Sequence, residues 1–346
     1  MGTFGQTLLY QQGRRSPLAR IFSSAPAPGS KGTGPRLGIR IPGSRAPARP
    51  WDRVSASVQA PAHLGAGRPC LPRLRPVARV LAVANQKGGV AKTTTVHALG
   101  VAFAELGRSV LMVDLDPQAC LTYSAGIDPD ALDRSLHDVF VRKMKVADAR
   151  VRVEGVQPAG GAREAEGTEV LDLLPSTIDL AGSEVHLLTR TGREHVLARA
   201  LLAVRDDYDL ILIDCPPSLG VLTINGLTAA QEVLIPLQCE ALSHRGVGQL
   251  LETIDDVRMF ANADLEVRGV IATMYDERTR HARSVLEDVK ERYGLPVLEP
   301  PVRKSIRFAE APARGCCILQ HAPSSPGAEA YRALAKLLDA DRAKAR

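Results

Sequence analysis

From residue 79 onward, the sequence predicts an α/β fold built on a mostly parallel, doubly wound sheet. Short apolar runs of strand length alternate with longer stretches of helical periodicity, which is typical of a parallel sheet covered by helices on both faces. A glycine-rich segment, NQKGGVAKTTT at 85–95, joins the first strand to the first helix. Aspartates follow two further strands, at the sheet edge where open α/β folds bind their ligands.

The predicted strands are short runs rich in Val, Ile and Leu, and the predicted helices repeat apolar residues every three or four positions. Strands are expected at 80–84, 109–113, 170–174, 209–213, 233–236, 267–273 and near 296–298. Helices are expected at 92–106, 133–140, 176–189, 194–205, 222–230, 244–261, 279–293 and 327–340. Residues 151–168 are polar and glycine-rich, and we expect a flexible surface insertion there.

Residues 1–78 are predicted to form a disordered basic extension ahead of a folded domain at 79–346. The extension is rich in Pro, Gly, Ala, Ser and Arg and lacks sustained periodicity, so it cannot bury enough apolar surface to offset chain entropy. Residues 1–79 contain twelve Arg and one Lys but only one acidic residue, Asp52, which gives a net charge of +12. Since the whole chain carries +6, residues 80–346 carry about −6.

Four interpretations of the extension remain open. An arginine-rich disordered arm can hold nucleic acid through phosphate contacts without sequence preference. A composition that contains Arg and Ser and is poor in acidic residues also suits an organelle transit peptide. The extension is equally compatible with a start codon assigned too far upstream, or with a solvated segment that has no role.

The segment at 85–95 departs from the standard phosphate loop, G-x-x-x-x-G-K-[ST], because Gln86 and Ala91 occupy its two glycine positions. It still joins a strand to a helix, whose N-terminus presents backbone N–H groups and a positive dipole end to a polyphosphate. Lys92 is expected to neutralise the β- and γ-phosphates, and the Thr93 hydroxyl to ligate Mg²⁺. The expected nucleotide contacts are Lys87, Gly88, Gly89, Val90, Ala91, Lys92, Thr93 and Thr94.

Two strands deliver carboxylates to the same edge of the predicted sheet. SVLMVDLDPQ at 109–118 carries Asp114 and Asp116, and YDLILIDCPPSLG at 208–220 carries Asp214. A carboxylate at this edge can orient an attacking water and lie near the metal ion. Asp214 occupies the Walker B position, which holds Mg²⁺, usually through water. The loop at 216–220 that follows it can change shape when the γ-phosphate leaves.

The composition of the chain argues against several other classes of protein. No apolar run approaches the ~18 residues that a membrane-spanning helix needs. The six cysteines form no C-x-x-C pair and no metal-ligand spacing, which indicates reduced cytosolic thiols and disfavours an iron–sulfur protein. His97 and His186 lie within predicted helices, where packing or surface roles are expected.

With its extra lysine, Lys87, the loop is the deviant Walker A motif, K-G-G-x-x-K-[ST], and it resembles that of the ParA/MinD superfamily. Further segments resemble, in the same order, those of the ParA/Soj ATPases of chromosome and plasmid segregation: VANQKGGVAKTTT, LMVDLDPQ, LLPSTIDLAGSE, IDCPPSLGVLTINGLTAA, VLIPLQCE, YDERT and IRFAEAP. The resemblance covers about residues 79–340. It implies a P-loop NTPase fold of the deviant Walker A (SIMIBI) type, with ATP and Mg²⁺ as cofactors.

The resemblance also implies a working cycle. ATP binding drives a sandwich homodimer in which Lys87 of each subunit contacts the other subunit's phosphates. The dimer binds DNA nonspecifically until a ParB-like protein stimulates slow hydrolysis, and such proteins are cytoplasmic and associate with the nucleoid. Asp116 matches the family's hydrolytic aspartate near the metal, whereas Asp114 is expected in the metal shell or in a structural role. Many members carry glycine at the position of Ala91, where we expect a right-handed backbone.

Two groups of basic residues are the expected DNA contacts. Arginines near the start of one predicted helix and basic residues after the last strand would form a stripe for phosphates across a dimer. They are Arg278, Arg280, Arg283, Arg303, Lys304 and Arg307, and among them Arg278 and Arg307 best match DNA-contacting arginines of the family. The stretch at 300–312 also resembles the family's adenine-packing segment, which implies base recognition by Val302, Arg303, Lys304 and Ser305.

Three alternative functions can be distinguished from this one by simple features of the sequence or of the activity. A MinD-like membrane positioner has an amphipathic C-terminal helix with a basic face and bulky apolar residues, whereas YRALAKLLDADRAKAR at 331–346 has modest Leu content and two aspartates. An enzyme of the cobyrinic acid amide synthase group would need small-molecule substrate residues and usually a glutamine-hydrolysing domain, for which we find no space. An orphan positioning or regulatory switch that does not act on DNA would bind ATP without partner-stimulated turnover.

Overall fold

The computed structural model describes residues 77–155, 171–240 and 243–344. Eight strands lie in these ranges: β1 Arg79–Val83, β2 Val110–Asp114, β3 Val151–Arg152, β4 Leu171–Leu174, β5 Leu210–Asp214, β6 Glu232–Gln238, β7 Glu266–Thr273 and β8 Val297–Leu298. The α-helices there are α1 Lys92–Glu105, α2 Cys120–Ser124, α3 Leu136–Val141, α4 Val146–Ala149, α5 Leu180–Leu188, α6 Val196–Leu201, α7 Val221–Ala229, α8 Ser243–Phe260, α9 Arg280–Tyr293, α10 Arg307–Glu310, α11 Ile318–His321 and α12 Pro326–Lys344.

The strands form one sheet in the order β3-β4-β2-β5-β1-β6-β7-β8. Every neighbouring pair is parallel except β3 with β4, so the predicted mostly parallel, doubly wound sheet is confirmed. β1 lies in the centre, between β5 and β6. The loop after β1 therefore emerges in the middle of the carboxyl edge, where a ligand can contact several strands at once.

Both faces of the sheet are covered by apolar side chains. One cluster packs α3 and α5 to α9 against one face, and a second packs α1, α2, α11 and α12 against the other. β2 and β5 are buried along their whole length, which explains why the central strands are continuous apolar runs instead of alternating patterns. The hydrophobic cores on the two faces hold the sheet and its loop-bearing edge in place.

The final helix, α12, packs closely against α1. Its Tyr331 is fully buried, and the phenol lies 3.0 Å from the hydroxyl of Thr95. Arg332 donates to Glu105 at 2.6 Å, and Arg108 pairs with an aspartate of α12 at 2.8 Å. The apolar face of α12, up to Leu338, is thus already covered. None of the described helices combines the length and the apolar character that crossing a membrane requires.

The structure corrects the prediction in two places. Val151–Arg152, expected within a flexible insertion, forms the antiparallel edge strand β3, held by an Arg152–Asp172 contact of 2.9 Å. Four helices of four or five residues (α2, α4, α10 and α11) were not predicted, because so few residues cannot show helical periodicity. Residues 1–76 of the predicted extension and 156–168 of the insertion lie outside the described residues.

Candidate functional site

The loop between β1 and α1 is held at both of its ends. The amide of Asn85 donates to the backbone oxygen of Pro236 at 2.7 Å and accepts from the backbone N–H of Lys87 at 3.0 Å. On the other side, the hydroxyl of Thr273 donates to the backbone oxygen of Val90 at 3.0 Å. The loop is thus fastened to the ends of β6 and β7, the two strands beyond β1.

The middle of this loop borders open space. A methyl group placed on Gly88 or Gly89 would meet no other atom within 4 Å. Gly89 also has a φ of +72°, a left-handed conformation that suits glycine. The two residues leave the backbone accessible at the N-terminus of α1, as a phosphate-binding loop requires.

Ala91 contradicts the expected right-handed backbone. Its φ and ψ are 66° and 34°, so it is left-handed, a conformation that costs a residue with a Cβ roughly 1–2 kcal/mol. Ala91 holds this conformation at the N-cap of α1, where its backbone oxygen accepts from both the N–H and the hydroxyl of Thr95, at 2.9 and 2.7 Å. The same geometry explains why glycine suits this position in related loops.

Ala91→Gly should therefore stabilise the fold by about 1 kcal/mol, since glycine adopts this conformation without a steric penalty. Urea denaturation of the full chain measures the change. Ala181→Gly, at an exposed position of α5, is the matched control and should lose about 0.5–1 kcal/mol. Equal losses in both variants would contradict the assigned strain at Ala91.

Lys92, Thr93 and Asp214 come together where β5 ends and α1 begins. The Lys92 side chain is only 7% exposed and donates to the backbone oxygen of Lys87 at 3.3 Å. Burial lowers the pKa of Lys92, while the nearby Asp214 opposes that change. The Thr93 hydroxyl donates to Oδ2 of Asp214 at 2.7 Å. One ammonium, one hydroxyl and one carboxylate thus lie close together in a largely buried part of the site.

The carboxylate of Asp214 has an unsatisfied oxygen. The residue is 1% exposed, and its Oδ1 has no hydrogen-bond partner among the described residues. Burial, reinforced by Asp114, raises the pKa of Asp214 well above its usual range. A buried acceptor without a donor is costly, and a hard cation with oxygen ligands relieves it. The donor set of Thr93 and Asp214 therefore fits Mg²⁺.

The two aspartates after β2 differ in their surroundings. Asp114 is fully buried, pairs in register with Asp214, and accepts from the N–H and hydroxyl of Thr122 at 2.8 and 2.7 Å. Burial raises the pKa of Asp114 to about 6. Asp116 is half-buried, and one oxygen accepts from the backbone N–H of Gln118 at 3.0 Å. Asp114 is thus committed to shaping the turn, whereas Asp116 keeps an oxygen available.

Lys87 forms an ion pair within its own chain. Its ammonium lies 2.8 Å from Oε2 of Glu240, just beyond β6, and both side chains are exposed. The contact lowers the pKa of the Glu240 carboxyl. Sequence reasoning missed Glu240, Asn85 and Thr273, although a polar residue at or just past the end of a strand beside the loop is a readable signal.

The segment at 302–305 lies along the end of β7. Val302 donates its N–H to the backbone oxygen of Ala272 at 2.8 Å and accepts from the N–H of Tyr275 at 2.9 Å. Val302 is buried, while the side chains of Arg303, Lys304 and Ser305 are exposed. Because the end of β7 also holds the phosphate loop, this segment borders the same edge of the sheet.

The two basic groups are joined by one ion pair. Arg303 lies 2.6 Å from Glu277, which is in the loop that carries Arg278 into α9. All six candidate side chains are exposed: Arg278, Arg280, Arg283, Arg303, Lys304 and Arg307. His97, by contrast, is buried beside Ser124, and burial lowers its pKa to about 4, as expected of a packing residue. The structure therefore places Arg303 beside the loop that carries Arg278 and leaves all six basic side chains exposed.

Comparison with known proteins gives a consistent result. Residues 78–267 match the family model described as an AAA domain. The sporulation initiation inhibitor protein Soj of Bacillus subtilis (strain 168) is 42% identical over 258 residues, which span 75% of this chain and 97% of Soj. The chromosome partitioning protein ParA of Caulobacter vibrioides is 40% identical over 260 residues, 75% of this chain and 92% of that protein.

A solved structure from Mycobacterium smegmatis, named cobyrinic acid a,c-diamide synthase, is 50% identical and superposes with a TM-score of 0.67. It covers 78% of this chain and 98% of its own, and it contains an ATP analogue and magnesium. The motifs, the central loop and these relatives agree. The chain belongs to the ParA/Soj family of P-loop ATPases, within the ParA/MinD superfamily.

Proposed function

We propose that the chain is a Mg²⁺-dependent ATPase switch that dimerises on ATP, binds DNA nonspecifically, and is reset by partner-stimulated hydrolysis in chromosome or plasmid segregation. The observation that carries the proposal is the 2.7 Å contact between Thr93 and Asp214, whose second oxygen is buried without a partner among the described residues. ATP and Mg²⁺ as cofactors agree with the solved structure from Mycobacterium smegmatis.

In the proposed site, Lys92 binds the β- and γ-phosphates and the backbone from Gly88 to Thr94 surrounds them. Thr93 and Asp214 hold Mg²⁺, which supplies charge neutralisation at the phosphates when bound. The half-buried Asp116 orients the attacking water with its available oxygen and lies near the metal. The segment at 302–305 supports adenine through its backbone, since its N–H and carbonyl groups are fixed along β7.

Lys87 is the group proposed to sense a second subunit. Its ammonium is exposed and paired with the equally exposed Glu240, a type of contact that contributes little free energy in water. A partner's nucleotide phosphates offer Lys87 a stronger counter-charge. Dimerisation would then exchange one ionic partner for another, which explains how a single lysine can report on both ATP and the second copy.

The proposed DNA surface consists of the two basic groups that the Arg303–Glu277 pair joins. Residues 80–346 carry about −6 overall, so single subunits should bind DNA weakly. Two copies in an ATP dimer would double the local positive charge. Binding should therefore depend on ATP and fall as salt rises.

DNA binding by the full chain and by a 79–346 fragment tests this proposal. Salt-sensitive binding is expected with ATP but not with ADP or without nucleotide, and Lys87→Ala and Arg307→Glu should each remove it. Arg199→Glu, an exposed arginine of α6 outside both groups, is the control. Equal binding in all nucleotide states by full chain and fragment would contradict the switch. Binding by the full chain alone would assign DNA to the extension.

Amide synthesis is the second candidate, favoured by the name of the structure from Mycobacterium smegmatis. ATP turnover that rises with cobyrinic acid and an ammonia donor, but not with DNA and a ParB-like protein, would support it. A MinD-like membrane role is less favoured, because α12 already packs its apolar face on α1. The proposed localisation is cytoplasmic, with association to the nucleoid.

A further inference from the structure

The short helix that begins with Arg307 is connected to the phosphate loop by a series of side-chain contacts. The next residue of α10, Phe308, packs against Tyr331 of α12. Their rings meet edge to face, with 6.1 Å between the centroids and 81° between the planes. This arrangement is favourable, because the positive edge of one ring faces the negative face of the other. Tyr331 in turn contacts Thr95 of α1, so two contacts lead from α10 to α1.

The contact between α10 and α12 is very close. A Cβ placed on Gly327, near the start of α12, would lie 2.6 Å from Cζ of Phe308, which is closer than real Cβ atoms approach. Glycine at this position therefore lets the Phe308 ring lie directly against the backbone of α12. A movement of α10 must either carry the ring of Tyr331 with it or break this contact.

The hydrogen bonds beyond Tyr331 have a fixed direction. Thr95 has one hydroxyl proton, which it donates to the backbone oxygen of Ala91 at 2.7 Å. The phenol of Tyr331, 3.0 Å away, must then donate to the Thr95 oxygen. Burial raises the pKa of Tyr331, so this donor stays protonated at physiological pH. Two consecutive hydrogen bonds thus lead from α12 to the backbone of the phosphate loop, and each polarises the other.

These hydrogen bonds reach the phosphate loop at its left-handed residue. Ala91 immediately precedes Lys92 and Thr93, which we assign to the phosphates and to Mg²⁺. A shift of the Ala91 peptide when the loop binds phosphate would change the hydrogen bond from Thr95, and with it the position of the Tyr331 phenol. The nucleotide site and α10 therefore share one set of buried contacts.

We propose that Tyr331 is a positioning residue that couples the phosphate loop to α10, so that bound ATP orients Arg307 and bound DNA in turn strengthens ATP binding. The coupling acts in both directions, because the effect of one ligand on the affinity of another is reciprocal. The hydroxyl of Tyr331 connects to the loop, and its ring connects to α10 through Phe308. This inference rests on the proposed function and adds the side chains through which one subunit links its two ligands.

Calorimetry of the full chain tests the inference, with Mg²⁺ and a non-hydrolysable ATP analogue in the presence or absence of a short duplex DNA. In the wild type, DNA should tighten binding of the analogue about tenfold. Tyr331→Phe keeps the ring but lacks the hydroxyl, and it should reduce this factor to about twofold or less. Phe308→Leu should act similarly, and the double variant should lose no more coupling than either single variant, because the two residues act in series.

Tyr208→Phe is the matched control. Tyr208 is also a buried tyrosine, and its hydroxyl donates to Asp172 of β4 at 2.6 Å. Its removal should lower stability, because a buried acceptor loses a donor, but the tenfold coupling should remain. The control therefore separates coupling from the loss of a buried hydrogen bond as such.

The outcomes separate the inference from the proposed function. Full coupling in Tyr331→Phe would overturn the inference, because dimerisation alone would then connect the two sites. Loss of the ATP-dependent dimer in Tyr331→Phe, measured by light scattering, or an equal loss of coupling in Tyr208→Phe would also overturn it. Absence of coupling in the wild type would overturn the proposed switch together with the inference.

Discussion

Lys92→Ala should abolish ATP binding as measured by calorimetry. Lys92 is the one largely buried ammonium among the described residues of the phosphate loop, and from the start of α1 it donates to the backbone oxygen of Lys87 within that loop. Truncating one member of a buried charge contact costs at least about 3 kcal/mol, or two orders of magnitude in Kd. The nucleotide would lose the charge that balances its β- and γ-phosphates.

Lys87→Ala provides the matched comparison. Lys87 lies in the same loop but is exposed and paired with Glu240, so its removal should leave ATP binding intact while it prevents ATP-dependent dimerisation. Circular dichroism and thermal melting of both variants check that the fold persists. Wild-type ATP affinity in Lys92→Ala would refute the role assigned to that side chain.

Asp116→Ala should trap the ATP-bound dimer with little hydrolysis. The half-buried carboxylate has one oxygen fixed by the Gln118 backbone, and we propose that its other oxygen orients the attacking water. Loss of a positioned catalytic carboxylate slows turnover by about 10²-fold or more. Phosphate release measures turnover, and light scattering coupled to size-exclusion chromatography measures the dimer.

The control for this variant is Asp133→Ala, an exposed aspartate between α2 and α3. It should hydrolyse ATP like the wild type, with partner or without. Normal turnover in Asp116→Ala would contradict the assignment. Loss of ATP binding in that variant would instead indicate that Asp116 contributes mainly to holding the metal.

The central fold could be predicted because its main strands and helices are long enough to show recognisable apolar patterns in the sequence. β5 is a fully buried strand with helices on both faces, so its sequence is a continuous apolar run that ends in Asp214. β3 could not be predicted in the same way. Its two residues have no periodicity, and they form a strand because Arg152 pairs with Asp172 of β4, a contact that depends on the tertiary fold.

The candidate site likewise contains residues that the sequence could predict and residues that it could not. Its phosphate-loop residues share a local motif, whereas Glu240 reaches Lys87 from 153 positions away and Thr273 reaches Val90 from 183. Such pairs follow from strand order, which one sequence does not reveal. The left-handed Ala91 was missed for a related reason, since the identity of a residue alone does not determine the sign of its φ.

The docking of α12 gives this late segment of the sequence a role in supporting the phosphate loop. The hydroxyl of Thr95 contacts both the backbone of Ala91 and the phenol of Tyr331, which is 236 positions later in the sequence. The phosphate loop thus rests on a support that is synthesised after all of the nucleotide motifs. A nascent chain that stops before Tyr331 has these motifs but lacks the support beneath them, so the loop should be fully formed only after α12 has been translated.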